Sequence, residues 1–159
     1  MGGAILDRKG WCSVSSDIEA PVPQGRYVAA VLAGDTVRTA GMTPRVDGVL
    51  TVTGRVGAEV TVAQAHAAAS LGARNALAAV RSVVPAGHRF RPAEMVVYVA
   101  ATADFTALSA VADGASEMIA TELGPDHLPA RSAIGVYTLP GGAPVEVALT
   151  AVLVTDLNS

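Results

Sequence analysis

The stretch PARSAIGVYTLPGGAPVEV, from Pro129 to Val147, gives the clearest fold signal in this chain. It places Arg131 just before one apolar run and Glu146 just inside another, with a turn rich in proline and glycine at 139–144 between them. Apolar runs on both sides of such a turn predict two strands. We therefore expect the guanidinium and the carboxylate to lie at the same end of a sheet.

These two charges stand out because charge is scarce in the rest of the chain. Only 16% of the 159 residues are charged, while 51% are hydrophobic, and the mean hydropathy is +0.43. The length is that of one domain with a real core, which we expect at residues 25–157 after an irregular leader at 1–24. Such a composition leaves much apolar surface, which indicates contacts between subunits.

Several classes of function and location are disfavoured by the sequence. Charges or glycines interrupt every apolar run before the length of about 18 residues that a membrane span needs. The N-terminus shows no signal-peptide pattern, so we expect a cytoplasmic protein without a membrane partner. A net charge of −3 disfavours nucleic acid as a partner. Cys12 is the one cysteine, and no metal, nucleotide or serine-hydrolase motif is present, so we expect no cofactor.

The first half of the chain predicts a hairpin followed by a long helix. Residues 27–33 and 36–41 are read as strands around the turn pair Gly34-Asp35, and a short strand is expected at 49–53. Thr61 and Gln64 have the spacing of a capping box, which predicts a helix from 62 to 84. Its apolar face recurs at steps of three and four residues: Ala65, Ala69, Ala73, Leu77, Val80 and Val84.

The second half predicts a buried strand, a second helix and two closing strands. Residues 95–101 are apolar without alternation, as in a strand covered on both faces. Asp104 is expected to cap a helix that ends at Gly124, and strands are expected at 131–137 and 145–154. The order β-β-(β)-α-β-α-β-β predicts an α+β domain with two helices on one face of a mixed sheet. The other face should meet another subunit, in a dimer, a trimer or a larger assembly.

Several motifs resemble those of the Rid family, the reactive intermediate deaminases, also called the YjgF-like or liver perchloric-acid-soluble-protein family. Pro129–Ser132, Leu139-Pro140 and Val145–Val147 resemble its closing signature. Gly25–Tyr27 and Thr39–Pro44 resemble two of its earlier motifs, in the same order along the chain. The resemblance spans about residues 25–155 and is similar to a less characterised branch of that family.

The resemblance implies a chorismate-mutase-like homotrimer with ligand sites in clefts between subunits. It also implies hydrolysis of 2-imino acids to 2-keto acids and ammonia, in which Arg131 holds the substrate carboxylate and Glu146 handles water. These roles suit the side chains, since a guanidinium offers a fork to a carboxylate and a glutamate can move a proton. The implied substrate-binding positions are Arg131, Tyr27, Gly41, Met42 and Ala133.

Four positions depart from the pattern of the housekeeping imine deaminases. Apolar residues replace a usual serine, a usual glutamine, a common cysteine and a frequent second glutamate, at Ala40, Met42, Ala133 and Ala148 respectively. A less polar cleft suits a bulkier or more apolar ligand. Two alternatives to an imine or enamine hydrolase therefore stay open: a trimeric module that binds a small carboxylate metabolite without turnover and, ranked last, a ribonuclease.

Overall fold

The computed structural model describes residues 21–154. Cys12, most of the predicted leader at 1–24 and the last three positions of the predicted domain at 25–157 lie outside the described residues. The predicted domain boundaries therefore remain predictions.

A single sheet of five strands forms the centre of the described chain. Its spatial order is β1-β2-β7-β5-β6, and its members are β1 (Ala30–Ala33), β2 (Thr36–Thr39), β5 (Arg89–Ala100), β6 (Ala130–Val136) and β7 (Val145–Val154). All neighbours are antiparallel except β5 and β6, which are parallel. A separate hairpin, β3 (Arg45–Val46) and β4 (Val49–Leu50), turns through Asp47 and Gly48 with φ of 51° and 78°. The predicted α+β fold with a mixed sheet is confirmed.

Helix α1 spans Val62–Val83 and begins with the predicted capping box. The backbone N–H of Gln64 donates to Thr61 Oγ1 at 3.2 Å, and the backbone N–H of Thr61 donates to Gln64 Oε1 at 2.9 Å. These bonds satisfy two amides that the first turn of a helix leaves without partners. The predicted apolar face is buried, and α1 contacts both the sheet and α2 through small side chains.

Helix α2 spans Leu108–Leu123, so the prediction that Asp104 caps it is wrong. Asp104 lies in a turn in which the Phe105 amide N–H donates to the Thr102 carbonyl at 3.1 Å. The Thr102 side chain hydrogen-bonds the Asp104 carboxylate and lowers its pKa. The turn uses the hydrogen-bonding capacity of Asp104 before the helix starts. Neither described helix is long and apolar enough to cross a membrane.

Several strand boundaries differ from the sequence prediction, and the starts of β5 and β1 differ most. β5 begins at Arg89 and not at 95, because its first residues pair with the end of β7 beyond the reach of β6, with a register shift next to Pro92. β1 begins at Ala30, since the Tyr27 amide N–H donates to the Gly25 carbonyl at 3.0 Å in a local turn. The charged and turn-forming residues at the start of β5 gave no strand pattern in the sequence. The turn at Tyr27 moves the start of β1 further along the chain.

The two faces of the sheet differ in what covers them. Along β7 the side chains of Val145, Val147 and Ala151 are fully buried beneath the helices, while the alternate residues are half-buried. We call the side away from the helices the open face, defined by the half-buried residues Glu146, Ala148 and Thr150 of β7 and Val96 and Tyr98 of β5. The prediction that helices cover one face of the sheet is confirmed.

Candidate functional site

Glu146 lies near the start of β7 on the open face, opposite Tyr98 of β5. Its neighbours Val145 and Val147 point into the core and are fully buried. Within residues 21–154, the Glu146 carboxyl has no hydrogen-bonding or ionic partner, and burial raises its pKa. A carboxyl that is partly removed from water without a compensating partner is suited to accept and return a proton.

Gly41 lies directly against this carboxyl. The strand-like contact is set by Met42, whose amide N–H donates to the Val147 carbonyl at 2.8 Å and whose carbonyl accepts from Val147 at 2.9 Å. A Cβ atom on Gly41 would collide with the carboxyl oxygen of Glu146. Glycine is therefore required here for the backbone to approach the glutamate.

A cleft of about 280 Å³ opens beside Gly41 and includes three of the predicted site positions, Tyr27, Gly41 and Met42. Tyr27 is 49% exposed, and its hydroxyl accepts from the Gln24 amide N–H at 3.2 Å. Met42 is buried and contributes mainly to the core.

Two further residues of the cleft, Arg45 and Asn75, are absent from the sequence prediction. Arg45 Nη1 donates to the Gly48 carbonyl at 2.7 Å. Asn75 Nδ2 donates to the carbonyls of Thr43 and Arg45 at 3.1 and 3.0 Å. These bonds hold the loop that follows Gly41. An amide side chain on the otherwise alanine-rich α1 was the available signal for Asn75.

Arg131 lies on β6, on the helix face of the sheet. Its Nη1 donates to Asp113 Oδ1 and to Ser116 Oγ of α2, both at 2.8 Å. Ala133 follows two residues later on the same face and packs at the margin of the core. Asp113 and Ser116 were not predicted as site residues. They lie 18 and 15 positions before Arg131, and no local pattern in the sequence shows that this side of α2 contacts Arg131.

The prediction that Arg131 and Glu146 lie at the same end of the sheet is wrong for a single chain. β5 lies between their two strands. Across the sheet, Arg131 pairs with Met95 of β5, which in turn pairs with Leu149 of β7, whereas Glu146 pairs with Tyr98 of β5. Met95 and Tyr98 are three residues apart, which corresponds to about 10 Å along a strand. The side chains of Arg131 and Glu146 also project from opposite faces of the sheet. We call the surroundings of Glu146 and of Arg131 the two candidate half-sites.

Within the described part of the chain, no group of three or more histidine, cysteine, aspartate or glutamate side chains is arranged to hold a metal ion.

Comparison with known proteins places these half-sites in a wider context. Residues 17–153 match the family described as Endoribonuclease L-PSP. Protein TCP17 of Trypanosoma cruzi is 35% identical over 132 residues, which are 80% of this chain and 81% of that protein.

Two solved structures are similar over most of their length. The Agrobacterium tumefaciens protein Atu1372, of unknown function, is 33% identical, with a TM-score of 0.74 over 84% of this chain and 87% of that one. The YjgF gene product of E. coli is 24% identical, with a TM-score of 0.60 over 88% of this chain and 97% of that one. The latter similarity supports the fold.

Proposed function

Since the chain belongs to the endoribonuclease L-PSP family, also known as the YjgF-like or Rid family, we propose that it hydrolyses reactive imine or enamine intermediates. The substrate class is a 2-imino acid or a related imine, and the products are the 2-keto acid and ammonia. In this proposal Glu146 activates water and Arg131 binds the substrate carboxylate. The site is formed between subunits of a homotrimer.

The observation that carries the proposal is the environment of Glu146. Its carboxyl is half-buried, its pKa is raised by burial, and no described residue neutralises it. A purely structural carboxylate in this setting is costly unless it gains a partner. A water molecule and a substrate would supply that partner.

Arg131 supports binding of a carboxylate. Both bonds to α2 use the same nitrogen, Nη1, and among the described residues Nε and Nη2 make none. These two nitrogens form one edge of the guanidinium, which can grip a carboxylate with two parallel hydrogen bonds. Because Arg131 and Glu146 leave opposite faces of one sheet, the proposed site combines Arg131 of one chain with Glu146 of another.

The proposed reaction begins with the iminium form of the substrate, whose carbon is attacked by water while Glu146 accepts a proton from that water. The resulting carbinolamine contains both a hydroxyl and an amine on one carbon. Glu146 then returns the proton to the nitrogen, and the carbon–nitrogen bond breaks as the hydroxyl loses its proton to Glu146 and becomes the carbonyl. The released ammonia takes up that proton and leaves as ammonium. Since imines hydrolyse readily, positioning of the reactants supplies much of the required rate.

The test is ammonia release from 2-imino acids that an amino acid oxidase generates in the assay, measured above the uncatalysed rate. We expect Glu146→Gln and Arg131→Ala each to reduce the enzyme-dependent rate by about 10²-fold or more. Arg74→Ala, on the exposed side of α1, is the matched control and should retain the wild-type rate. Wild-type protein no faster than Arg131→Ala would reject the proposal.

A binding measurement beside the ammonia assay separates the alternatives. Saturable binding of a 2-keto acid without turnover would identify a binding module. The family description also includes ribonuclease activity, but the net charge of −3 offers little attraction for a polyanion. Imine hydrolysis is favoured because it uses both half-sites.

A further inference from the structure

Asp113 forms an ion pair with the guanidinium of Arg131, the group to which the proposed function assigns binding of the substrate carboxylate. Arg131 Nη1 carries two hydrogens, and the structure directs them to Asp113 Oδ1 and Ser116 Oγ, both at 2.8 Å. The two acceptors lie three residues apart on α2, so the guanidinium rests on one side of the helix. The position of the Arg131 guanidinium is therefore set by its bonds to α2, although Arg131 itself belongs to β6.

The pair is accessible to a ligand. The Arg131 side chain is 21% exposed and the Asp113 side chain is 56% exposed. One oxygen of Asp113 receives the Arg131 bond, and the other makes no hydrogen bond to any residue in the range 21–154. A ligand on the Nε and Nη2 edge of Arg131 would thus lie beside a free carboxylate oxygen.

This arrangement makes the charge of the half-site close to zero. A simple carboxylate gains two bonds from Arg131 but is repelled by Asp113. A ligand that carries a protonated nitrogen next to its carboxylate avoids this cost, because its N–H groups can donate to the free oxygen of Asp113.

We propose that Asp113 is a specificity-determining residue that selects ligands with a protonated nitrogen beside a carboxylate over ligands with a carboxylate alone. This inference rests on the proposed function, in which Arg131 binds the substrate carboxylate. The iminium form of a 2-imino acid has both charges, whereas the 2-keto acid product has only the negative one. Asp113 therefore favours substrate over product and promotes product release.

The test compares the binding of two small probes, L-alanine with both charges and pyruvate with one, by titration calorimetry at low ionic strength. In Asp113→Asn, pyruvate should bind about threefold to tenfold more tightly, because the repulsion is gone while the side chain keeps its size. L-alanine should bind more weakly by a similar factor. The ratio of the two affinities is the readout, and added salt should diminish the change in that ratio.

Ser116→Ala is the matched control, since it removes a bond from the same nitrogen without removing a charge. It should weaken or preserve both affinities together and leave their ratio unchanged. An unchanged ratio in Asp113→Asn, an equal loss of both affinities, or the same ratio change in Ser116→Ala would overturn the inference. Circular dichroism would confirm that each variant is folded.

Arg131→Ala separates this inference from the proposed function. If Arg131→Ala binds pyruvate as well as wild type, or if wild type binds neither probe, the carboxylate-binding role of Arg131 fails. If Arg131→Ala loses binding while Asp113→Asn leaves the ratio unchanged, only the role of Asp113 fails.

Discussion

Glu146 shows how one side chain links the proposed chemistry to the stability of the fold. Its folded pKa is raised by burial above the ordinary value of 4.5, so the folded chain holds this proton more tightly than the unfolded chain does. Stability from this group is present below pH 4.5 and is lost as pH rises through the higher folded pKa. At neutral pH the ionised carboxyl therefore opposes folding.

Glu146→Gln should consequently be more stable than wild type at neutral pH while losing activity. We expect a Tm increase of about 2–4 °C at neutral pH, which disappears at about pH 4, where both states of the wild-type carboxyl are largely protonated. Differential scanning calorimetry at the two pH values measures this. The control is Glu94→Gln, an exposed residue of β5, which should show no such pH-dependent gain. A destabilised Glu146→Gln at neutral pH would show that the carboxylate has a stabilising partner.

Gly41→Ala should disable the site without unfolding the chain. The three atoms nearest to an added Cβ are Oε1, Cδ and Cγ of the Glu146 side chain. The glutamate can rotate away, so we expect Tm to stay within about 2 °C of wild type and hydrolysis to fall about as far as in Glu146→Gln. The ammonia assay and calorimetry test the two parts of this prediction.

The double variant Gly41→Ala/Glu146→Gln provides the control for that prediction. If Gly41 acts by placing Glu146, the double variant should be no less active than Glu146→Gln alone, because the two changes remove the same function. Additive losses would mean that Gly41 contributes to activity by another route.

At the scale of elements, the contact between α1 and α2 depends on Gly114. A Cβ at this position would collide with the backbone carbonyl of His66 on α1, which cannot move without shifting the helix. In an open helix, glycine to alanine stabilises by about 1 kcal/mol. Gly114→Ala should instead destabilise by about 1–3 kcal/mol in urea unfolding, because steric overlap in the core outweighs helix propensity. Ser109→Ala, on the exposed side of α2, should be neutral or slightly stabilising.

The sequence predicted the elements that local patterns encode and missed those that depend on tertiary pairing. The capping box at Thr61, the apolar face of α1 and the bounds of β7 follow from local spacing, and the structure confirms them. The start of α2 was wrong because Asp104 bonds within a preceding turn. Local hydrogen bonds of aspartate compete with capping, and sequence alone does not show which one wins.

At the scale of the molecule, the sequence identified the two charged residues of the candidate site but not how the fold arranges them. Scarcity of charge singled out Arg131 and Glu146, but the turn between them led us to expect both at the same end of the sheet. In the structure β5 lies between them, so that β6 and β7 never pair. Asp113 and Ser116 became visible only because α2 passes beside Arg131. Long-range topology, and not residue chemistry, was the missing information.

The separation of Arg131 from Glu146 gives a decisive test at the scale of the assembly. If each site takes Arg131 from one chain and Glu146 from the next, two inactive variants can restore each other. Arg131→Ala and Glu146→Gln, unfolded together in equal amounts and refolded, should assemble at random, so that about a quarter of all sites in the mixture hold both native residues. The mixture should regain about a quarter of the wild-type rate of ammonia release, whereas each variant refolded alone should stay inactive.

Sedimentation velocity on the refolded mixture must show an oligomer of the same size as wild type for this result to count. A trimer that regains no activity would mean that both residues serve a site within one chain, despite leaving opposite faces of its sheet. A substrate would then have to contact both faces of the sheet across β5, which pairs with both β6 and β7 from Glu94 to Val99. We therefore expect recovery in the mixture, because within one chain the Arg131 and Glu146 side chains lie on opposite faces of the sheet.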